Sequence, residues 1–382
     1  MSRLAETYAA EFPVRRELIY FNHAGVCPLP VRSAQAAQAV LDLQVRRGAA
    51  DYAVWTEGLK QVRASAARLL RAHADEIAFV KNTSQGLLLA AGSIPWEEGD
   101  NVVTSAIEFP ANVYPWLTLD RFGVETRLVG ARQGRVRIDD LAAAMDERTR
   151  CLAISWVQFS TGYRSDLGKL SQLCRDHDAY LVLDAIQGLG ALRLDLSRYG
   201  VDFATADGHK WLLGVEGAGL LYVRRQILDR LQPFNVGWMS VERPFEFLDY
   251  QLRLAPTAAR FEEGSPNVAG LHALGASLDL LLEAGPEAVE QAVLALTDEL
   301  AEGVTALGCE VVSPRGEGEK SGILNFRHPR LESHILAHRL RQSGVECVER
   351  TGNVRFSPHF YNDPSEVAQA LALLAEALAD NQ

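Results

Sequence analysis

The stretch Val201-Asp202-Phe203-Ala204-Thr205-Ala206-Asp207-Gly208-His209-Lys210-Trp211-Leu212-Leu213-Gly214 decides the fold. It opens as an apolar, strand-like run, passes through a small-residue turn at Gly208 and delivers His209 and Lys210 at the strand's end, beside an indole ring. An amine held there is badly placed for a solvated surface lysine and well placed to form a Schiff base. Upstream, Ala179-Tyr180-Leu181-Val182-Leu183-Asp184-Ala185-Ile186-Gln187-Gly188 reads as a buried strand that presents a carboxylate at its end. A lysine and an aspartate on neighbouring strand ends can hold pyridoxal phosphate between them.

Outward from this pair, short apolar runs alternate with amphipathic stretches. Residues 101–105, 124–129, 151–157, 180–186, 201–204 and 219–223 read as strands, with helices expected over 139–145 and 167–177. Continuous apolar strands separated by helices predict an α/β architecture with a mostly parallel sheet covered on both faces. Ligands of such sheets sit beyond the carboxyl ends of the strands, the edge to which Asp184 and Lys210 belong. Residues 31–47 and 54–71 have the spacing of outer helices, and 268–283 and 286–307 that of two long helices parted at Gly285-Pro286. Beyond lie strands near 309–312, 323–327, 345 and 354, a helix over 333–342 and a closing helix from Ser365, which together suggest a small α+β domain. The expected division is a large domain over 16–285 and a small one built from 1–15 and 286–382.

The chain has 382 residues, enough for more than one core, and 48% hydrophobic content. A formal charge of −11 weighs against nucleic acid and anionic membrane surfaces as partners, since either would require a basic stripe. No apolar segment approaches the length of a membrane span, and the polar start lacks the apolar stretch of a signal peptide, so a cytoplasmic location is expected. Cys27, Cys151, Cys174, Cys309 and Cys347 are odd in number and irregularly spaced, which fits buried thiols in a reducing compartment. Their spacing offers no metal site.

Only five lysines are present, Lys60, Lys81, Lys169, Lys210 and Lys320. Lys60 and Lys169 fall on helical stretches, Lys320 in a Gly/Glu-rich loop and Lys81 beside a candidate phosphate loop. Lys210 alone follows a strand in the layer that carries Asp184. Asp184 would keep a pyridine nitrogen protonated, and Gln187 could donate to the phenolate oxygen beside the Schiff base. The segment Phe79-Val80-Lys81-Asn82-Thr83-Ser84-Gln85-Gly86 passes from strand to helix through hydroxyl residues, so free N–H groups at the helix start form an anion site suited to phosphate. Neither Gly188-Leu189-Gly190 nor residues 316–321 completes a dinucleotide or Walker glycine pattern.

Seven pieces in register extend the likeness over nearly the whole chain: residues 20–25, Asn82-Thr83-Ser84, Glu108-Phe109-Pro110-Ala111-Asn112, Asp184-Ala185-Ile186-Gln187, Gly208-His209-Lys210, Glu263-Gly264-Ser265-Pro266-Asn267, and Arg350 with Val354-Arg355-Phe356-Ser357. In these the chain resembles the class V aminotransferases of fold type I, a family that includes cysteine desulfurases, selenocysteine lyases, kynureninase and isopenicillin N epimerase. The resemblance implies a mostly parallel seven-stranded sheet and a pyridoxal 5'-phosphate site. Lys210, Asp184 and His209 are the implied catalytic residues, with Thr83, Ser84, Gln85, Phe109, Gln187, Asp207 and Ser265 around the cofactor. Asn22, Ala24, Gln158, Arg350 and Arg355 are implied on the substrate side, where a guanidinium fork suits a carboxylate. Ser265 matches a residue that a second subunit lends to the phosphate, so a homodimer is implied.

Departures from the family pattern shape the functional expectation. Phe109 stands where many desulfurases have histidine, keeping the stacking surface without a proton-handling group. Asp207 stands where relatives often have serine, and a carboxylate beside phosphate is expected to turn away or to bond to backbone. The loop Thr351-Gly352-Asn353-Val354 lacks the sulfur-accepting cysteine of desulfurases, and Cys347 reads as a core thiol. The expected reaction therefore acts on an α-amino acid through an aldimine and quinonoid, as a cysteine or selenocysteine lyase or an aminotransferase. Epimerisation, a kynureninase-like hydrolysis and a noncatalytic binding role remain alternatives.

Overall fold

The computed structural model describes residues 3–248 and 250–379. Its centre is a seven-stranded sheet of Ile77–Val80 (β1), Asn101–Ser105 (β2), Glu125–Val129 (β3), Thr149–Ser155 (β4), Tyr180–Asp184 (β5), Phe203–Asp207 (β6) and Gly219–Val223 (β7), in spatial order β1-β7-β6-β5-β4-β2-β3. Pairs from β3 through β6 are parallel, while β7 runs antiparallel to both neighbours. The apolar runs read from the sequence are these strands. Leu152, Ala153 and Ile154 of β4 and Leu181, Val182 and Leu183 of β5 are buried on both faces, each large side chain worth about 2 kcal/mol of burial. The run near 201 begins as strand only at Phe203 because Asp202 is spent on the sheet's far edge, accepting from Leu181 N–H at 2.9 Å.

Helices Val31–Arg47 (α1) and Tyr52–Leu70 (α2) pack on Val268–Ala284 (α5) beneath the sheet, and Thr83–Ala91 (α3) and Leu167–Asp176 (α4) complete the layers. Asn82 caps α3 by accepting from Gln85 N–H at 2.9 Å, so the helix starts at the carboxyl edge of the sheet. The chain bends by 83° between α5 and Pro286–Ala306 (α6). Along α6, Val289 and Val293 enter the core under the large sheet, whereas Leu296, Leu300 and Val304 enter that of a second, four-stranded sheet. This antiparallel sheet joins Glu310–Val311 (β8), Leu324–Arg327 (β9), Val348–Arg350 (β10) and Asn353–Phe356 (β11) in the order β10-β11-β9-β8, with Ser333–Gln342 (α7) and Pro364–Ala379 (α8) against it.

The amino-terminal segment crosses between these bodies. Ile19–Tyr20 pairs in parallel with Val345–Glu346, and Asn22 bridges Ser357. Ile19 and Phe21 therefore sit in the core of the small sheet, while Tyr8 and Phe12 join Phe360 and Tyr361 in the core of the large one. Cys347 lies between two short strands rather than inside one, because the chain there leaves its pairing with Ile19–Tyr20 for the four-stranded sheet.

Candidate active site

Lys210 and Asp184 meet at the carboxyl edge of the large sheet. Asp184 ends β5 and is 2% exposed, with Oδ1 accepting from Ile186 N–H at 3.0 Å. Burial pushes its carboxyl up to about 7, and the nearby Glu108 carboxyl pushes the same way while Lys210 opposes it. Lys210, three residues past β6, is half-buried. Desolvation lowers its amine to about 8 against the pull of Asp184, and Arg355 helps to lower it. The amine lies 5.8 Å from the centroid of the Phe109 ring, which packs edge-on against Phe159.

Facing them from β11 is Arg355, 2% exposed. Its Nη1 donates to Phe159 O at 3.5 Å, Nε has no hydrogen-bond partner, and among the described residues no carboxylate forms an ion pair with it. Burial lowers the guanidinium to about 9, with Arg350, exposed at the end of β10, adding repulsion. A buried guanidinium left this bare costs about 3 kcal/mol or more, which an incoming carboxylate would offset.

Around this pair the structure gathers most of the residues expected from the sequence. Thr83, at the head of α3, accepts from Asp207 N–H at 3.0 Å, tying the phosphate-loop candidate to the end of β6. Asp207 turns to the backbone, as expected: Oδ1 accepts from Gly208 N–H at 2.7 Å and Oδ2 lies 2.9 Å from His209 Nδ1. Gln187 donates to Ala24 O at 3.1 Å and accepts from the Trp211 indole at 3.1 Å. Asn22 donates to Glu346 at 3.0 Å, leaving its buried Oδ1 without a partner. Gln158 donates to Glu108 at 2.6 Å, and its Oε1 is likewise buried and bare.

Two residues point elsewhere. The Gln85 side chain accepts from Lys81 N–H at 2.6 Å and donates to Glu263 at 3.0 Å. Exposed Ser265 shares a separate cavity of about 540 Å³ with Lys81 and Gln85, so the single chain does not bring it to Lys210. Ser84 remains half-buried beside Thr83. The sequence reading gave no role to Glu108, which accepts from Ser155 N–H and Oγ, Asn112 and Gln158 and stands as a second buried acid next to Asp184. Its signals were its place at the head of the Glu108-Phe109-Pro110-Ala111-Asn112 piece and directly after the turn that follows β2.

A family model described as Aminotransferase class-V matches residues 19–369. The chain belongs to this family. Among class-V relatives, a probable cysteine desulfurase of Methanothermobacter thermautotrophicus is 30% identical, the match covering 98% of this chain and 97% of the relative. A probable cysteine desulfurase of Pyrococcus abyssi is 28% identical over 98% of each chain. The apo structure of a cysteine desulfurase from Thermococcus onnurineus shares the fold with a TM-score of 0.88 at 24% identity, covering all of both chains. A C-DES mutant with glycine covalently linked to its PLP cofactor superposes with a TM-score of 0.90 at 23% identity, covering 96% of this chain and 98% of that one.

The class-V site in this chain fits such a cofactor. Among the described residues only one Asp184 side-chain oxygen is engaged by a protein N–H, leaving the other for a ring nitrogen, and the hydroxyl-rich start of α3 faces the same strand end as Lys210. Arg355, buried with a bare Nε, has the chemistry to pair with a carboxylate.

Proposed function

We propose that the protein is a pyridoxal 5'-phosphate-dependent lyase that eliminates the sulfur substituent of a cysteine-type amino acid without parking sulfur on a thiol of its own. The observation that carries this reading is the state of the five cysteines. All are buried, and burial pushes Cys309 up to about 11, Cys27 and Cys347 up to about 12, and Cys151 and Cys174 higher still. Removing sulfur to leave alanine requires a thiolate to accept it. Elimination does not: cysteine and water give pyruvate, ammonia and hydrogen sulfide, the sulfur leaving with the bonding electron pair. Names of the relatives support the substrate class, and the missing acceptor thiol favours elimination.

When bound, the cofactor supplies an electron sink for the substrate's α-carbon. Lys210 would attach it, Asp184 would hold the proton on its ring nitrogen, and Thr83, Ser84 and His209 would hold its phosphate. Arg355 orients the substrate through its carboxylate, which turns the α-hydrogen toward one face. Lys210 Nζ, about half neutral near pH 8, can accept that proton and return one.

We infer that two copies pair. Trp238, Phe245, Phe247, Leu248, Tyr250 and Leu252 are all exposed, the rings of the first three packed on one another, a run of apolar side chains that a partner copy would cover, and Ser265 would complete the partner's phosphate site. Five free thiols suit a cytoplasmic location. Product analysis tests the reaction: the holoenzyme with cysteine, cystine or selenocysteine should yield pyruvate, whereas alanine would overturn elimination and a keto-acid-dependent amino transfer would replace it. Light scattering at micromolar concentration should give twice the chain mass.

A further inference from the structure

In the loop that carries Lys210, five of the six peptide carbonyls from Gly208 to Leu213 are held. Gly208 O accepts from Gly214 N–H at 2.8 Å, His209 O from Cys27 N–H at 2.7 Å, Lys210 O from Leu213 N–H at 3.1 Å and Leu213 O from the Ser277 hydroxyl at 2.6 Å. Leu213 is itself left-handed at φ 59°, a conformation a leucine keeps only under such restraint. Trp211 O, directly after the lysine, is held by a side chain alone: His359 Nε2 at 3.0 Å.

The tautomer of His359 follows from its other nitrogen. Nδ1 accepts from Phe360 N–H at 2.8 Å, and a backbone N–H can only donate, so the ring proton must sit on Nε2 and point at Trp211 O. His359 packs against His23, which is locked in the opposite tautomer: Nδ1 donates to Ser357 O at 2.9 Å, so Nε2 accepts from the Tyr361 hydroxyl at 2.7 Å. Both rings are wholly buried, and burial lowers His359 to about 4, so it stays neutral wherever the enzyme works. Trp211 in turn donates its indole N–H to Gln187 Oε1, so the same residue that His359 holds also aims the Gln187 amide.

We propose that His359 is a positioning residue for Lys210, its Nε2–H fixing the Trp211 carbonyl and through it the lysine and Gln187. This rests on Lys210 being the cofactor-bearing amine. His359 touches neither cofactor nor substrate in this role. An asparagine amide can replace the Nδ1 side of the ring and keep Phe360 N–H satisfied, whereas the longer glutamine amide can reach Trp211 O.

The test compares His359→Asn with His359→Gln as purified holoenzymes. Two quantities are read: the pH midpoint of the absorption band of the lysine-linked cofactor, and hydrogen exchange in the peptide spanning residues 208–214. His359→Asn should raise the midpoint by about one pH unit, because water admitted to a loosened loop favours the charged form, and should speed exchange at Leu213 and Gly214 about tenfold. His359→Gln should retain the parent values in both. If the two variants lose thermal stability alike and leave midpoint and exchange unchanged, or move them equally, His359 is only a core side chain and the proposal fails. If the parent's band survives in Lys210→Ala, the lysine reading beneath it fails instead.

Discussion

Two segments converge on the site and are built on opposite principles. The loop after β6 has most of its carbonyls held by the protein, one of them by a histidine, and accepts a left-handed leucine in the process. Across from it, β11 buries Arg355 with one long hydrogen bond and an orphaned Nε. The first segment is finished before any ligand arrives, and the second is finished by the ligand. Preorganisation serves the group that must be aimed, and an unmet charge serves the group that must be grasped.

The largest expected effect attacks the aimed side. Lys210→Ala should lose the borohydride-sensitive absorption band and about 10⁴-fold in kcat, measured by pyruvate release. On the grasping side, Arg355→Met should cost about a hundredfold in kcat/KM, near 3 kcal/mol, while thermal denaturation shows a higher Tm, since an unpaired buried charge is exchanged for apolar contact. A lower Tm there would mean that Arg355 is satisfied without substrate, and the contrast between the segments would dissolve. The electrostatics of the lysine give a smaller effect with a fixed sign. Its amine is protonated below about 8, so attachment of pyridoxal phosphate to stripped protein should be about tenfold slower at pH 7 than on the plateau above pH 9. Smallest of all, Cys347→Ala should alter pyruvate formation less than about twofold while costing about 1 kcal/mol in urea unfolding, as a packing thiol would.

The aimed side was the more legible from sequence. Strand-length apolar runs, small-residue turns and a scarcity of lysines singled out Lys210 and Asp184, because a strand end fixes where its next few residues lie. Arg355 could be named through family likeness, but its bareness could not, since the absence of a partner is a property of everything packed around it. Glu108 escaped for a similar reason: its four donors come from three different places in the chain. Gln85 and Ser265 were placed by motif, yet the fold turns them toward Lys81 and Glu263, and the spacing of a motif does not fix where its side chains turn.

The crossing segment near residue 20 imposes an order on assembly. Asn22 waits for Glu346, His23 for Ser357 and Tyr361, and Ala24 N–H for the Ser357 hydroxyl, partners made more than three hundred residues later. Synthesised ahead of its partners, this strip can settle only once the far carboxyl-terminal strands have emerged. The catalytic centre is thus sealed late in biogenesis, and a nascent chain holds its lysine loop open until then.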